Sequence, residues 1–492
     1  MSAEVLMIFP GHQVNMVQSL AYVHLPYALL CLASYLRENG GIETQIHDTR
    51  IDKLEDIDLE GIKVVGISCM TGNQIKHGLE RARKLRELLP PETVFVWGGI
   101  HPTLHAEETA RHEMVDCVVI GEGEETFLEL VQTVKAGKDY AGLPGTMVER
   151  DGKFIRGADR PYLDMDDLPF PAYDLIDLNR YPNIRHVFDY QTSRGCPFRC
   201  AFCYIDEFTQ RKWRAKSPER VVDELEELVK RYGVESFGFV DDEFFIKKQR
   251  AERIMELIIE RGLKFKWVAS CRLDLIRRFD AEGFKKMKQS GCELLYLGGE
   301  SGNGEMLDAI LKDISVEDIV EGVRSCVEND VTPVVSFMGG FPGESVEQLH
   351  DTIDLIDQLW SLSPRVTING IFPFSPYPGT PLFHQARATG LEVPDSLDGW
   401  GDWDFEYTPR HPWLSERHRQ ELKTAFYMVR FKYYIMKFKQ KYGHRKVIHA
   451  LVMLAMQPML WSARVRIKRH AFNFAPEWEL WALVARRTFG FL

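Results

Sequence analysis

Long hydrophobic runs are missing from this chain of 492 residues. Its longest uncharged stretch toward the C-terminus, Val447–Ala463, has 17 residues and is interrupted by His449, Gln457 and Pro458. A membrane-spanning helix needs about 20 apolar residues, so none is expected. Basic residues are absent before Arg37, and Glu4 stands where a secretory leader carries positive charge. A cytoplasmic location is therefore expected. Cysteine is scarce, with nine residues, of which Cys31, Cys69, Cys117, Cys271, Cys292 and Cys326 stand singly. That excludes a disulfide-stapled scaffold and reads as reduced, mostly buried thiols. Solenoid-length repeats and low-complexity tracts are lacking as well. Positive charge is also short, 61 Lys and Arg against 72 Asp and Glu for a net −11, so nucleic acid is not the default partner.

What is present is an ordinary globular composition, 45% hydrophobic and 27% charged. At roughly 150 residues per domain the length suggests about three domains. In residues 1–140, strand-like runs at Val5–Phe9, Glu43–His47, Val64–Ser68, Val94–Trp97 and Cys117–Ile120 alternate with helical stretches at Pro26–Arg37, Gln74–Leu89 and Glu124–Val134. This alternation predicts a doubly wound parallel sheet. Glycine-rich turns follow two of the strands, at Gly98-Gly99 and Gly121-Glu122-Gly123. Residues 141–187 hold Pro161, Pro169, Pro171 and Pro182 and no long periodic segment, and read as a linker. A second alternation fills 188–390. Strands are predicted at Asp189–Ser193, Ser236–Val240, Lys266–Cys271, Leu294–Gly298, Val334–Met338 and Val366–Ile371, with helices such as Pro218–Tyr232, Lys248–Arg261 and Val316–Asn329. Six βα units suggest a partial (βα)6 barrel, whose site lies at the C-terminal ends of its strands.

Three cysteines stand apart from the scattered six. Cys196, Cys200 and Cys203 form a Cys-x3-Cys-x2-Cys cluster in the loop that follows the first strand of this second domain. Thiolates are soft ligands suited to zinc or iron–sulfur clusters. A structural zinc normally takes four protein ligands in paired clips, and here no second pair completes the set. A [4Fe-4S] cube on three thiolates keeps one iron open for a small ligand. A zinc knob and a plain electron-transfer cluster are the competing readings.

This spacing, the aromatic Phe202 before the third cysteine, and the position after the first βα strand together resemble the radical S-adenosylmethionine (SAM) superfamily. The resemblance implies that the open iron binds the amino and carboxylate groups of SAM. One-electron reduction then cleaves the sulfonium to methionine and a 5′-deoxyadenosyl radical. It also implies an electron donor such as flavodoxin or ferredoxin. Leu297-Gly298-Gly299-Glu300-Ser301-Gly302 ends the fourth strand and resembles the family's Gly-x-Glu-Ser segment, which assigns Glu300 and Ser301 to the ribose or methionine part of SAM. Asp241 and Asp242 after the second strand would accept from the cofactor's ammonium, and Arg272 after the third would pair with its carboxylate. Each could instead be an N-cap or an ion pair. Gly340, in Gly339-Gly340-Phe-Pro-Gly343-Glu344, falls at the fifth-strand turn near the adenine, although Ser336 and Met338 depart from the family's usual Gly-x-Ile-x-Gly. Pro376-Tyr-Pro-Gly-Thr380 after the sixth strand reads as a rigid turn. Beyond the cluster ligands, no catalytic residue is assigned.

A doubly wound domain ahead of a radical domain resembles the cobalamin-binding subgroup of this superfamily. The resemblance places the nucleotide tail of cobalamin at Ser68, Gly98 and Gly99. The Asp-x-His-x-x-Gly motif that supplies an axial imidazole is absent, and His12 does not belong to such a motif. With cobalamin bound, the implied reaction is methylation of an unactivated carbon: the adenosyl radical removes a hydrogen and methylcobalamin delivers the methyl. Without it, the implied outcomes are rearrangement, cyclisation, elimination or carbon–carbon coupling in lipid, tetrapyrrole or natural-product biosynthesis. A non-catalytic iron–sulfur or cobalamin carrier is the remaining class.

The net charge hides an asymmetry. From Thr408 onward there are 17 Lys and Arg against four acids, +13, which leaves −24 on residues 1–407. The same stretch is rich in Trp and Phe, including Trp461, Phe472, Phe474, Trp478 and Trp481. Residues 391–492 thus read as a helical, basic, aromatic region that either caps the barrel or rests on anionic lipid. Either way the expected substrate is a hydrophobic small molecule.

Overall fold

The computed structural model describes residues 3–11, 24–181, 184, 187–403, 411–442 and 446–481; His12 lies outside them. Two parallel sheets, one per α/β domain, carry the molecule. The first contains β1 (Val5–Phe9), α1 (Tyr27–Gly40), β2 (Thr44–Asp48), β3 (Val64–Ser68), α2 (Asn73–Leu88), β4 (Val94–Gly98), α3 (Ile100–Leu104), α4 (Ala106–Ala110), β5 (Cys117–Val119) and α5 (Glu124–Lys135). Its central strands are buried on both faces, as in Val5 to Ile8 and Val94 to Trp97, because helices cover both sides. They follow the order β2-β1-β3-β4-β5.

Residues 141–187 are not simply a linker. A hairpin of β6 (Thr146–Arg150) and β7 (Lys153–Arg156) adds two antiparallel strands to the edge of β5. The first domain therefore runs to Arg156. Its turn is Asp151-Gly152, with Asp151 at φ 51°, the two-residue signature that matches the twist of paired strands.

The second domain opens with β8 (Phe188–Tyr190) and the short pair β9 (Ser193–Arg194) and β10 (Arg214–Ala215), between which lie the cysteine loop and α6 (Ile205–Thr209). It continues through α7 (Pro218–Tyr232), β11 (Ser236–Phe239), α8 (Lys248–Glu260), β12 (Lys266–Cys271), α9 (Leu273–Ile276), α10 (Ala281–Gln289), β13 (Cys292–Glu300), α11 (Gly304–Ala309) and α12 (Val316–Glu328). β14 (Thr332–Gly339), α13 (Val346–Leu362) and β15 (Thr367–Pro373) complete it. Its six parallel strands stand in the sequential order β8-β11-β12-β13-β14-β15, the open (βα)6 barrel expected.

The chain after β15 divides into parts with different jobs. α14 (Pro381–Ala388) and α15 (Leu397–Gly401) return to the first domain, where Phe383, Leu397 and Trp400 join the core over α2. Arg83 and His112 both pair with Asp398 across that contact. α16 (Glu416–Tyr442) then packs along β15, and α17 (Lys446–Arg469) follows it. Among the described residues no helix is long and apolar enough to cross a membrane.

Candidate active site

The C-terminal edges of the two sheets face one another across a cavity of about 430 Å³. On the first domain's side it is lined by Ser68, Gly98, Gly99, Gly121 and Gly123, and it runs inward between Leu29, Leu32, Val96, Val119 and Phe127. On the barrel side it meets Arg194, Gly195, Tyr204, Phe208, Val240 and Asp242. Ser68, Gly98 and Gly99, three residues far apart from the cysteines in sequence, thus share one cavity with the residue next to Cys196. Gly99 has φ 93°, and a Cβ there would lie 2.9 Å from both the Cys69 carbonyl and Ser68 Oγ. The floor is consequently bare backbone backed by an apolar crevice. That cradle fits a bulky, largely uncharged ring with a long tail, as cobalamin has.

Charge closes the seam between the domains. Arg194 pairs with Glu122 at 3.1 Å and Glu124 at 2.8 Å, and Arg214 also pairs with Glu122. Arg194 is half-buried, and its two carboxylate partners hold its guanidinium well above its ordinary pKa against the pull of burial. The Gly-Glu-Gly turn of the first sheet is thereby tied to the strand that leads into the cysteine loop.

That loop is held from several sides. Gly195, at φ 85°, has no room for a side chain: a Cβ would fall 2.1 Å from the Lys212 carbonyl. Its N–H donates to Asp242 at 2.7 Å. Asp241 accepts from the Thr192 amide and the Ser193 hydroxyl, each at 2.6 Å, and from the Thr192 hydroxyl. Asp241 therefore braces the loop that leads into the cysteines. Burial raises Asp242 to about 6 and Glu243 to about 7. Glu243 accepts from the Phe245 amide at 3.1 Å and the Arg272 amide at 2.9 Å.

The three thiols are half-buried and free. Burial, helped by the neighbouring cysteines, pushes Cys196 up to about 11 and Cys203 up to about 12. Loading a metal there releases protons. Among the described residues no three His, Cys, Asp or Glu side chains converge on a single ion. A four-iron cube takes one thiolate per iron, so its ligands need not share a centre. Phe202 packs beside Phe341, with ring centroids 6.4 Å apart.

Opposite the loop, β13 ends in a strained turn. Its register against β14 shifts between Gly298 and Glu300, and Glu300 adopts φ 59°. A non-glycine residue in that region costs about 1–3 kcal/mol and is held by its surroundings. The surroundings here are Lys312, buried, whose Nζ donates to Glu300 Oε1 at 2.8 Å. Burial pulls the Lys312 pKa down, but the charge and hydrogen bond of Glu300 together with Cys200 raise it above its ordinary value. Ser301 is fully buried, 3.3 Å from the Thr352 hydroxyl, and accepts from the Asn303 amide. It acts as a turn residue rather than an open ligand. Gly340 lies under the C-terminal segment: its carbonyl accepts from Trp413 Nε1 at 2.9 Å, and a Cβ would meet Leu422 at 2.9 Å. Its expected place beside an adenine is thus covered from that side. Thr380 caps α14, the rigid turn expected.

Arg272 is held from three sides. Its Nε donates to Asp274 at 2.9 Å and its Nη2 to the Lys312 carbonyl at 2.6 Å, while Nη1 stands 3.6 Å from Cys200 Sγ. The guanidinium is thus anchored by the protein with one edge turned to the cysteine loop. Lys312 and the Arg194–Glu124 pair carry no pattern that marks them in the sequence, being lone charged residues at turns and element ends.

A cluster loop after the first strand of a six-stranded barrel, facing a glycine-floored parallel sheet, defines a SAM radical enzyme with a cobalamin domain. Comparison with known proteins agrees. Residues 190–356 match the radical SAM superfamily model and residues 15–131 the B12-binding domain model. The chain is 32% identical, over 79% of its length and 84% of the relative's, to an uncharacterised methyltransferase of Pyrococcus horikoshii. It is 30% identical, over 63% of its length, to the anaerobic magnesium-protoporphyrin IX monomethyl ester cyclase of Cereibacter sphaeroides, of which it spans about half, 51%. The solved cobalamin-dependent SAM radical enzyme OxsB, with aqua-cobalamin bound, superposes with TM-score 0.72 over 99% of this chain and 75% of that one at 14% identity, a likeness of fold. The chain belongs to the radical SAM superfamily, among the members that carry a B12-binding domain. It is an enzyme whose cofactors are a [4Fe-4S] cluster, SAM and cobalamin. The chemistry requires a one-electron reductant and a substrate.

Proposed function

We propose that the enzyme methylates an unactivated carbon of an apolar small molecule. The observation that carries this reading is the single cavity joining the glycine floor at Gly98 and Gly99 to Gly195, the neighbour of Cys196. The chemistry supplied by the bound groups is a methyl donor on the cobalamin side and a hydrogen-abstracting adenosyl radical on the cluster side. The chain's residues divide the rest. Cys196, Cys200 and Cys203 hold the cluster, with Phe202 packed over its loop. Glu300, oriented by Lys312, faces the SAM side, with Ser301 fixing the turn behind it. Asp241 and Asp242 fix the loop, and Ser68, Gly98 and Gly99 admit the cobalamin tail. Tyr204, Ile205, Phe208 and Val240 line the barrel side of the cavity with mostly apolar surface, which favours a hydrophobic substrate. Flavodoxin or ferredoxin supplies the electron. Anaerobic incubation with SAM and reductant should yield 5′-deoxyadenosine, and Cys200→Ala should abolish it; undiminished product from that variant would sink the assignment.

The exposed face of α17 supports peripheral contact with an anionic bilayer. Leu454 and Trp461 are 71% and 68% exposed, Phe474 and Leu480 just beyond are 77% and 63% exposed, and Arg464, Lys468 and Arg469 lie exposed beside them. Apolar and aromatic side chains next to unburied bases match the chemistry of an interfacial helix. Deleting everything after Thr408 would strip α16 from β15, so a point-variant test is cleaner. Trp461→Ser with Phe474→Ser should remove co-sedimentation with phosphatidylserine vesicles. Equal pelleting of variant and wild type would refute the contact.

A further inference from the structure

We propose that Arg272 tunes the cluster, raising its reduction potential through a hydrogen bond from its Nη1 to the thiolate of Cys200. The proposal rests on the cluster occupying the three thiols and goes beyond it in assigning a role to a residue that holds no iron. Arg272 is 6% exposed, and its guanidinium carbon lies 3.7 Å from the ring centroid of Phe198, inside the cysteine loop. Three of its nitrogens face three different partners: Nε to Asp274, Nη2 to the Lys312 carbonyl, and Nη1 to Cys200 Sγ at 3.6 Å. A buried guanidinium needs acceptors for all its donors. A neutral thiol accepts weakly, whereas a thiolate on iron is an anion, so with the cluster in place the Nη1–Sγ contact becomes a charge-assisted hydrogen bond.

The surrounding turn is built to hold this fork still. Lys312 lies between two residues of positive φ, Leu311 and Asp313, both at 53°. That uncommon backbone turns the Lys312 carbonyl toward Arg272. Arg199 clamps Asp313 with two hydrogen bonds of 3.0 Å, and the Ala201 amide donates to the Ile310 carbonyl at 2.9 Å. The loop that carries Cys200 is thus docked on the turn that fixes Arg272, and the Nη1–Sγ approach follows from both. Reduction adds an electron to the cluster, and an N–H···S bond from a buried cation stabilises the more negative state preferentially. Lys312, whose charge also acts on Cys200, adds to the same field.

The test is a potentiometric titration of the reconstituted full-length protein, monitored by EPR, for wild type, Arg272→Lys and Arg272→Gln. At a fixed solution potential, the reduced-to-oxidised ratio should fall about tenfold in Arg272→Gln, which is about 59 mV for one electron. Arg272→Lys keeps the charge but loses the planar fork and should fall between. A merely structural role would change iron and sulfide content without moving the potential of the clusters that form. An unchanged potential in Arg272→Gln with a full cluster would overturn the proposal. Should that variant assemble no cluster, pulsed EPR of the reduced wild type carrying guanidino-15N-arginine decides: a 15N coupling is expected, and its absence overturns the hydrogen bond. Failure of the wild type itself to bind four irons and sulfides would overturn the underlying assignment instead, a separate readout.

Discussion

The two parallel sheets bring their C-terminal edges to one cavity but furnish them by opposite means. The first presents glycines, a serine and an apolar crevice, a surface suited to hold a ligand by shape. The second presents Asp242 to the cavity, with Glu243, Arg272, Glu300 and Lys312 behind it on the barrel side, groups suited to hold ligands by charge. The difference follows from what each must bind: a large ring with a long tail on one side, an anionic cluster and a sulfonium on the other. Changes of volume should therefore damage the first edge and changes of charge the second.

The largest expected effect is on the shape side. Gly99→Leu puts a side chain where a Cβ already lies 2.9 Å from backbone, at a φ that L-residues avoid. Affinity for cobalamin, read as the amount retained after desalting, should drop by more than about a hundredfold, about 2.7 kcal/mol or more, while iron content and 5′-deoxyadenosine formation persist. Loss of both together would break the comparison. Next comes Lys312→Met, which leaves Glu300 charged and buried without its partner. Unfolding by denaturant should show a loss of about 3–5 kcal/mol. Adding Glu300→Gln should restore much of that stability without restoring SAM cleavage. Smaller is Arg194→Met at the seam, where two carboxylates lose one cation. Both cobalamin retention and cluster content should fall modestly, by about tenfold or less. An effect confined to one cofactor would show that the seam does not couple the sites.

The fold was legible where periodicity is clean. Pro218–Tyr232, Lys266–Cys271 and Val64–Ser68 fall where alternation and helical spacing put them. The hairpin at 146–156 is masked in the sequence by the prolines further along 141–187, although Asp151-Gly152 carries its turn signal. Nothing local foretold that Trp400 belongs to the first domain's core, since that contact joins residues more than 300 positions apart. At the site, the cysteine spacing and the glycine pair were readable because the chemistry fixes residue type and interval. Asp241 and Arg272 were visible as charged residues at strand ends, but whether such a group meets a cofactor or its own loop depends on three-dimensional partners. Lys312 was invisible for the same reason.

The most direct measurement of the central claim is product analysis of the anaerobic, cluster-loaded enzyme with SAM and reductant, with and without cobalamin. A methyl group leaving SAM for cobalamin releases S-adenosylhomocysteine, whereas radical cleavage releases 5′-deoxyadenosine and methionine. The expected result is both products from the cobalamin-loaded protein and 5′-deoxyadenosine alone from the cobalamin-free one. Bound cobalamin with no S-adenosylhomocysteine would contradict the methyl-transfer reading.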